Sequence, residues 1–355
     1  MFNLNNILRE NIKALTPYSS ARDEFKGSAS DVFLDANENS MGSSLTALKL
    51  NRYPDPLQWD VKEKIAKIKN TDIKNIFLGN GSDEAIDILI RAFCNPGKDN
   101  IIILPPTYGM YEVAAKINDV KIKAVNLLKT YQPDMPGIKK AIDKNTKLIF
   151  VCSPNNPTGG IINIRNIETL LETFNGIVIV DEAYIDFADF PGMLNDLSKY
   201  PNLVILQTFS KAWGLAGLRM GMAFARPDII DVMNKIKAPY NVGDLAQKLM
   251  LQALENSSMV KGMVKSLKAE RAKMLKELPN FSFVTSIAPS DANFLLVKTT
   301  CADKLYKFLI DNNMVVRNRS NLPLCEGGLR ITVGTEEENK KLLALLKRFE
   351  KIYKG

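Results

Sequence analysis

From about Asp72 onward the chain repeats one theme: a short apolar run, a turn carrying polar residues, then an amphipathic helical pattern. Residues 75–78 read as a strand and Gly79-Asn80-Gly81 as a turn. Ser82 reads as the N-cap of a helix through Phe93, with Asp83 and Glu84 in its first turn. Strand patterns recur at 100–104, 121–127, 147–152, 177–180, 203–207 and 219–225, and helix patterns at 108–117 and 164–174. The run 177–180 is wholly apolar and β-branched, as in strands buried on both faces. Such alternation predicts an α/β fold, a mostly parallel sheet flanked by helices. Beyond about Pro227 the pattern changes to helices at 244–255 and 259–278, short strands at 281–285, 293–297 and 329–333, and a last helix at 336–353. This tail reads as a smaller α+β C-terminal domain. The expected division is an N-terminal arm at 1–40 packing on the small domain, a large domain at 41–240 and the small domain at 241–355.

Composition narrows the functional classes. A chain of 355 residues with 46% hydrophobic residues can bury a sizeable core. The formal charge is +8, from 47 Lys+Arg against 39 Asp+Glu, but the basic residues are lysines scattered along amphipathic stretches such as 61–69. No dense basic block with interleaved aromatics occurs, which argues against a nucleic-acid partner. The longest apolar runs fall well short of a membrane span, and residues 1–10 lack the pattern of a signal peptide, so a cytoplasmic protein is expected. Cys94, Cys152, Cys301 and Cys325 form no C-x-x-C pair, and Cys94 and Cys152 lie in apolar runs as small buried hydrophobes. Histidine is absent. That excludes Ser-His-Asp and Cys-His nucleophile systems and His-ligated metals, and no metal site is expected. Proton transfer near neutral pH must then use Lys, Tyr, Cys, a carboxylate or a cofactor.

In open α/β sheets ligands bind beyond the carboxyl ends of the strands, and the unusual residues fall at such ends. Asn156 follows one predicted strand, Asp181 ends another, Ser210-Lys211 follow a third and Gly81-Ser82 a fourth. Each alone has an ordinary explanation: an Asp there caps a helix, and a Lys after Ser is a solvated loop residue. Together they match what pyridoxal phosphate requires. That cofactor needs a lysine amine for a Schiff base, a carboxylate facing the pyridine nitrogen, donors at the phenolic oxygen, an aromatic face and a phosphate cradle.

The sequences Ser153-Pro154-Asn155-Asn156-Pro157-Thr158-Gly159, Asp181-Glu182-Ala183-Tyr184 and Ser210-Lys211-Ala212, with Arg219 eight residues beyond the lysine, resemble the fold-type-I pyridoxal-phosphate-dependent aminotransferases in order and kind. The resemblance implies that Lys211 forms the Schiff base and carries the proton, and that Asp181 faces the pyridine nitrogen. It implies that Asn156 and Tyr184 donate to the phenolic oxygen and that Tyr108 stacks on the ring. Ser82, Asp83, Thr208, Ser210 and Arg219 would hold the phosphate. Tyr53, in Asn51-Arg52-Tyr53-Pro54-Asp55, would reach the phosphate of a neighbouring subunit, which implies a homodimer with shared active sites.

A narrower set is similar to the histidinol-phosphate aminotransferase family: Leu15-Thr16-Pro17-Tyr18, Leu34-Asp35-Ala36-Asn37-Glu38-Asn39, Pro105-Pro106-Thr107-Tyr108-Gly109-Met110-Tyr111, Leu215-Ala216-Gly217-Leu218-Arg219, Ser290-Asp291-Ala292-Asn293 and Gly328-Leu329-Arg330-Ile331-Thr332-Val333-Gly334. The likeness runs through nearly the whole chain. Ser40 and the acid-poor Val316-Arg317-Asn318-Arg319 depart from it, where Pro and Asp are more usual. The implied substrates are a phosphorylated amino alcohol and the glutamate/2-oxoglutarate pair, with Arg317 and Arg330 gripping the anion, Asn156 beside it and Tyr18 closing over it. Arg319 is an alternative to Arg317 or shares its role. Threonine-phosphate decarboxylase and aromatic amino-acid aminotransferase would keep the same lysine set. A non-catalytic pyridoxal-phosphate sensor would need a DNA-binding extension, and a nucleotide-binding enzyme a third glycine after Gly79-Asn80-Gly81.

Overall fold

Seven of the apolar runs pair into one sheet in a computed structural model that describes residues 2–17, 34–45 and 47–354. Its strands are β1 (Ile76–Asn80), β2 (Asn100–Ile103), β3 (Lys121–Ala124), β4 (Thr146–Cys152), β5 (Ile177–Asp181), β6 (Leu203–Thr208) and β7 (Met220–Phe224), in the order β1-β7-β6-β5-β4-β2-β3. Strands β2 to β6 run parallel, and β7 is antiparallel to both β6 and β1. The C-terminal ends of β1, β4, β5 and β6 and the start of β7 therefore share one rim.

Period-two alternation sends each strand's side chains into two cores. Ile149, Val151, Val178, Val180 and Ile205 face one core, closed by Val61, Ile65, Ile167 and Leu170 from helices Trp59–Lys69 and Ile164–Thr173. Leu148, Phe150, Ile177, Ile179 and Val204 face the other, closed by helices Gly81–Phe93 and Pro227–Ile236. A second sheet, antiparallel throughout, has the order β10-β11-β9-β8, with β8 Val284–Ile287, β9 Phe294–Thr299, β10 Arg317–Asn318 and β11 Gly328–Thr332. Helices Ser257–Glu277, Ala302–Asp311 and Glu336–Lys354 cover its outer face. The architecture is the one the resemblance implies: a mostly parallel sheet with a separate small antiparallel one. No helix among the described residues is long and apolar enough to cross a membrane.

The differences from the sequence reading have physical causes. The strand expected at 281–285 forms at Val284–Ile287, because Phe281 and Phe283 leave the strand to fill the core beneath the small sheet. Helices Met135–Ala141, Pro227–Ile236 and Ala302–Asp311 were not anticipated; the first two carry Pro in the first turn, and the third has no side-chain cap. Ser82 is not an N-cap, since the helix already begins at Gly81. The described part of the N-terminal arm packs on the large sheet's outer helices and not on the small lobe. Ile7 and Ile12 join the core of Phe93 and Ile229, and the Arg9 guanidinium donates to the Arg91 carbonyl at 2.7 Å. The apolar stripe Leu4, Ile7, Leu8, Ile12 has helical spacing and finds its complement there.

Lys62 breaks the expectation of a solvated lysine face. It is 2% exposed, and its amine lies 5.6 Å from the Trp59 ring centroid. Burial, with the charge of Lys237, lowers its pKa from 10.5 to about 8. The unfolded chain thus binds more protons between those values, so stability rises with pH across that window, and below it the charged amine destabilises the fold. Lys62→Met is expected to stabilise the protein by about 3 kcal/mol at pH 7, an advantage that shrinks as pH approaches 10. Paired urea denaturations at fixed protein concentration check this; a pH-independent difference would show that the amine does not titrate there.

Candidate active site

The shared rim carries a cleft with roughly 580 Å³ of atom-free space, part of it open to solvent. Its walls include Ser82, Asp83, Tyr108, Asn156, Asp181, Tyr184, Thr208, Ser210, Lys211 and Arg219, so ten sequence-selected residues from five segments of the chain converge on one place. Tyr53 lies elsewhere. It stacks on Tyr240 at 4.5 Å and lines a separate groove with Glu38, Leu50 and Leu245. Tyr18 lies outside the described residues.

Asp181 ends β5 and is 2% exposed. Its carboxylate accepts from the Tyr111 hydroxyl at 2.6 Å and from the Ala183 amide at 3.1 Å. Burial raises its pKa, and those two hydrogen bonds oppose the rise. No lysine or arginine among the described residues forms an ion pair with it. Lys211 sits on the loop between β6 and β7, its amine 5.7 Å from the Tyr184 ring centroid. Though exposed within the cleft, that amine has its pKa lowered, first by desolvation and then by the charge of Arg330.

Asn156 bridges two groups: its amide donates to the Tyr184 hydroxyl at 3.2 Å, and its carbonyl accepts from Arg330 at 2.5 Å. Arg330 comes from β11, so this contact brings the small sheet to the cleft. Arg330 also lies 5.3 Å over Phe294, which meets Tyr184 edge-on. Arg317 is exposed on β10, directly opposite Arg330 in register. The loop holding Asn156 is pinned to the small lobe by close backbone approach. Gly159 has φ +92°, and a Cβ there would sit 2.5 Å from the Ser290 hydroxyl. The Asp291 amide donates to the Gly159 carbonyl at 2.8 Å.

At the other end, the first turn of helix Gly81–Phe93 faces the cleft beside Arg219. Gly81 has φ +73°, and a Cβ there would lie 2.8 Å from an Arg219 guanidinium nitrogen. Glycine therefore lets the arginine reach the helix N-terminus, where amide hydrogens and the helix dipole favour an anion. Arg219 lies 3.6 Å from the Asp83 carboxylate, which also accepts from the Tyr108 hydroxyl at 3.1 Å. The hydroxyls of Thr208 and Ser210 are 3.0 Å apart.

A family model described as aminotransferase class I and II matches residues 24–346. The chain belongs to that family. It is 53% identical over 348 residues to the histidinol-phosphate aminotransferase of Cytophaga hutchinsonii, covering 98% of this chain and 99% of the relative. It is 51% identical over 350 residues to that of Christiangramia forsetii, covering 98% and 99%. A solved histidinol-phosphate aminotransferase from Clostridium acetobutylicum superposes with TM-score 0.79 at 26% identity, covering 85% of this chain and 91% of that one.

As a class I and II aminotransferase the chain depends on pyridoxal 5′-phosphate, and the residues present fit that group. A buried carboxylate without a cation suits a protonated ring nitrogen, the helix N-terminus with Arg219 suits a phosphate, and Lys211 offers the one amine lining the described cleft. Sequence reasoning did not single out Tyr111, which is wholly buried, stacked on Phe150 at 4.7 Å and bonded to Asp181. Its only local signal is the three-residue spacing from Tyr108, which it meets edge-on at 5.6 Å. Tyr111→Phe leaves Asp181 with the Ala183 amide alone and is expected to weaken cofactor binding about tenfold. Titrating the apoenzyme with pyridoxal phosphate checks this, and an unchanged affinity would reduce Tyr111 to packing.

Proposed function

We propose that this aminotransferase interconverts histidinol phosphate plus 2-oxoglutarate with imidazole-acetol phosphate plus glutamate, as a cytoplasmic homodimer with shared active sites. The observation that carries it is Arg330, an anion-binding group held by Asn156 at the edge of the Lys211–Asp181 cleft. Each substrate in that exchange presents an anionic group to such a fork: a phosphate in one half-reaction, a carboxylate in the other. The names of the nearly full-length relatives at about half identity support the specific substrate.

Bound pyridoxal phosphate supplies an electron-withdrawing ring that makes the substrate's α-proton removable. Lys211 would hold the cofactor through its amine and, when free, would carry the substrate's α-proton. Its lowered pKa raises the neutral fraction that accepts a proton. Asp181, its own charge held by Tyr111 and Ala183, would keep the ring nitrogen protonated. Asn156 and Tyr184 would donate to the cofactor's phenolic oxygen, and Tyr108 would stack on its ring. The first turn at Ser82 and Asp83, with Thr208, Ser210 and Arg219, would take the cofactor phosphate. Arg330 and Arg317 would grip the substrate anion, with Tyr18, which lies outside the described residues, assigned to close over it. Tyr53 would reach the phosphate of a second copy, a reading supported by its half exposure in a groove it shares with Leu245.

The pure protein given histidinol phosphate and 2-oxoglutarate is expected to yield glutamate. Carbon dioxide release from threonine phosphate, with no amino acceptor added, would instead indicate a decarboxylase. Lys211→Ala is expected to lose about 10²–10⁴-fold or more in turnover while pyridoxal phosphate still binds. Near wild-type transamination by that variant would remove the lysine from the mechanism.

A further inference from the structure

The face of the small sheet that meets the cleft carries more positive charge than the reading above uses. Arg317 and Arg330 are direct partners in the β10–β11 ladder, so their side chains share one face. The ladder continues one step past β10: the Arg319 amide donates to the Gly328 carbonyl at 2.8 Å. Two residues beyond Arg317, Arg319 lies on that same face, opposite a glycine that offers no side chain. None of the three guanidinium groups pairs with a carboxylate among the described residues, and only Arg330 has a side-chain hydrogen-bond partner, Asn156. The Nε of Arg319 is buried without any partner, and so is the hydroxyl of the adjacent Ser320. Buried unpaired donors are rare and costly in a native fold, more so on a charged group. Burial, then the charges of Arg330 and Arg317, lower the pKa of Arg319. Three mutually repelling cations with an orphaned donor among them make a seat for an anion of more than one charge.

We propose that Arg319 is a specificity-determining residue, whose guanidinium completes a seat with Arg317 and Arg330 for the phosphate end of the substrate. A phosphate near neutral pH carries up to two negative charges and three acceptor oxygens, enough to engage three guanidinium groups, whereas a side-chain carboxylate carries one charge and satisfies one fork. Arg319 therefore favours the phosphorylated substrate over glutamate within one pocket. The assignment rests on the proposed reading of the cleft, and its test separates the two.

Arg319→Gln and Arg319→Lys are each measured as the cofactor-loaded enzyme, in two ways. Arg319→Gln is expected to raise KM for histidinol phosphate about tenfold to a hundredfold, with kcat and the KM for glutamate little changed and Arg319→Lys partly restoring the loss. Calorimetric titration with inorganic phosphate, which needs no turnover, is expected to show binding to the wild type that weakens about tenfold or more in Arg319→Gln. Wild-type turnover of histidinol phosphate with both measurements unchanged in Arg319→Gln overturns the role of Arg319 and leaves the reaction standing. Equal losses toward glutamate and histidinol phosphate overturn it as well. Phosphate binding that depends on Arg319 in an enzyme that does not turn over histidinol phosphate keeps the seat and removes the substrate.

Discussion

The cleft is organised around one buried negative charge. Asp181 stands at the end of the central strand β5, almost without solvent contact, with a tyrosine hydroxyl and one backbone amide to hold its charge. A lone buried carboxylate is expensive, and such a group either finds a cation or takes up a proton. Its pKa is pushed up in the protein as it stands. A protonated ring nitrogen would remove that cost, so the fold stores at Asp181 a preference for a cationic heterocycle. Lys211, Tyr184 and Tyr108 stand around the space where such a ring would lie, and the helix beginning at Gly81 closes its far end with amide donors.

The opposite end of the cleft is built from positive charge delivered by a different sheet. Arg330 reaches Asn156 from β11, and the loop of Asn156 is tied back to the small lobe through Gly159, Ser290 and Asp291. The site is thus complete only when both lobes have folded against each other. Negative charge at Asp181, on the large sheet, and positive charge at Arg330, on the small one, flank Lys211. Arg330 lowers the lysine's pKa while Asp181 raises it, and desolvation outweighs both. In a chain without histidine this is how a proton carrier is brought toward neutral pH.

Much of this was legible along the chain, and the part that was legible has a common cause. Strands buried on both faces are short continuous apolar runs, and β4, β5 and β6 were found to within a residue or so of their observed bounds because such short, β-branched runs bounded by turn residues mark them. The residues at their carboxyl ends then fell on one rim by the logic of parallel sheets. The lapses came where local pattern is silent. Proline in the first turn hid Pro227–Ile236, aromatic residues serving the core from outside a strand shifted β8, and the described part of the arm, expected on the small domain, covers the large sheet's outer helices.

The sequence by itself determined the fold class, the family and the set of residues gathered at the cleft, because periodicity and short motifs are local properties. Tertiary structure alone decided which of those residues touch. Tyr111 meets Asp181 across 70 positions and Arg330 meets Asn156 across 174, contacts that no local pattern encodes. Burial, too, was settled only in three dimensions. Lys62 belongs to a stretch that reads as a solvated face and is enclosed, and Arg319 reads as a spare neighbour of Arg317 yet holds a buried donor without a partner. The reason is that desolvation depends on what the rest of the chain brings to a side chain, and that is fixed when the sheets, helices and loops pack.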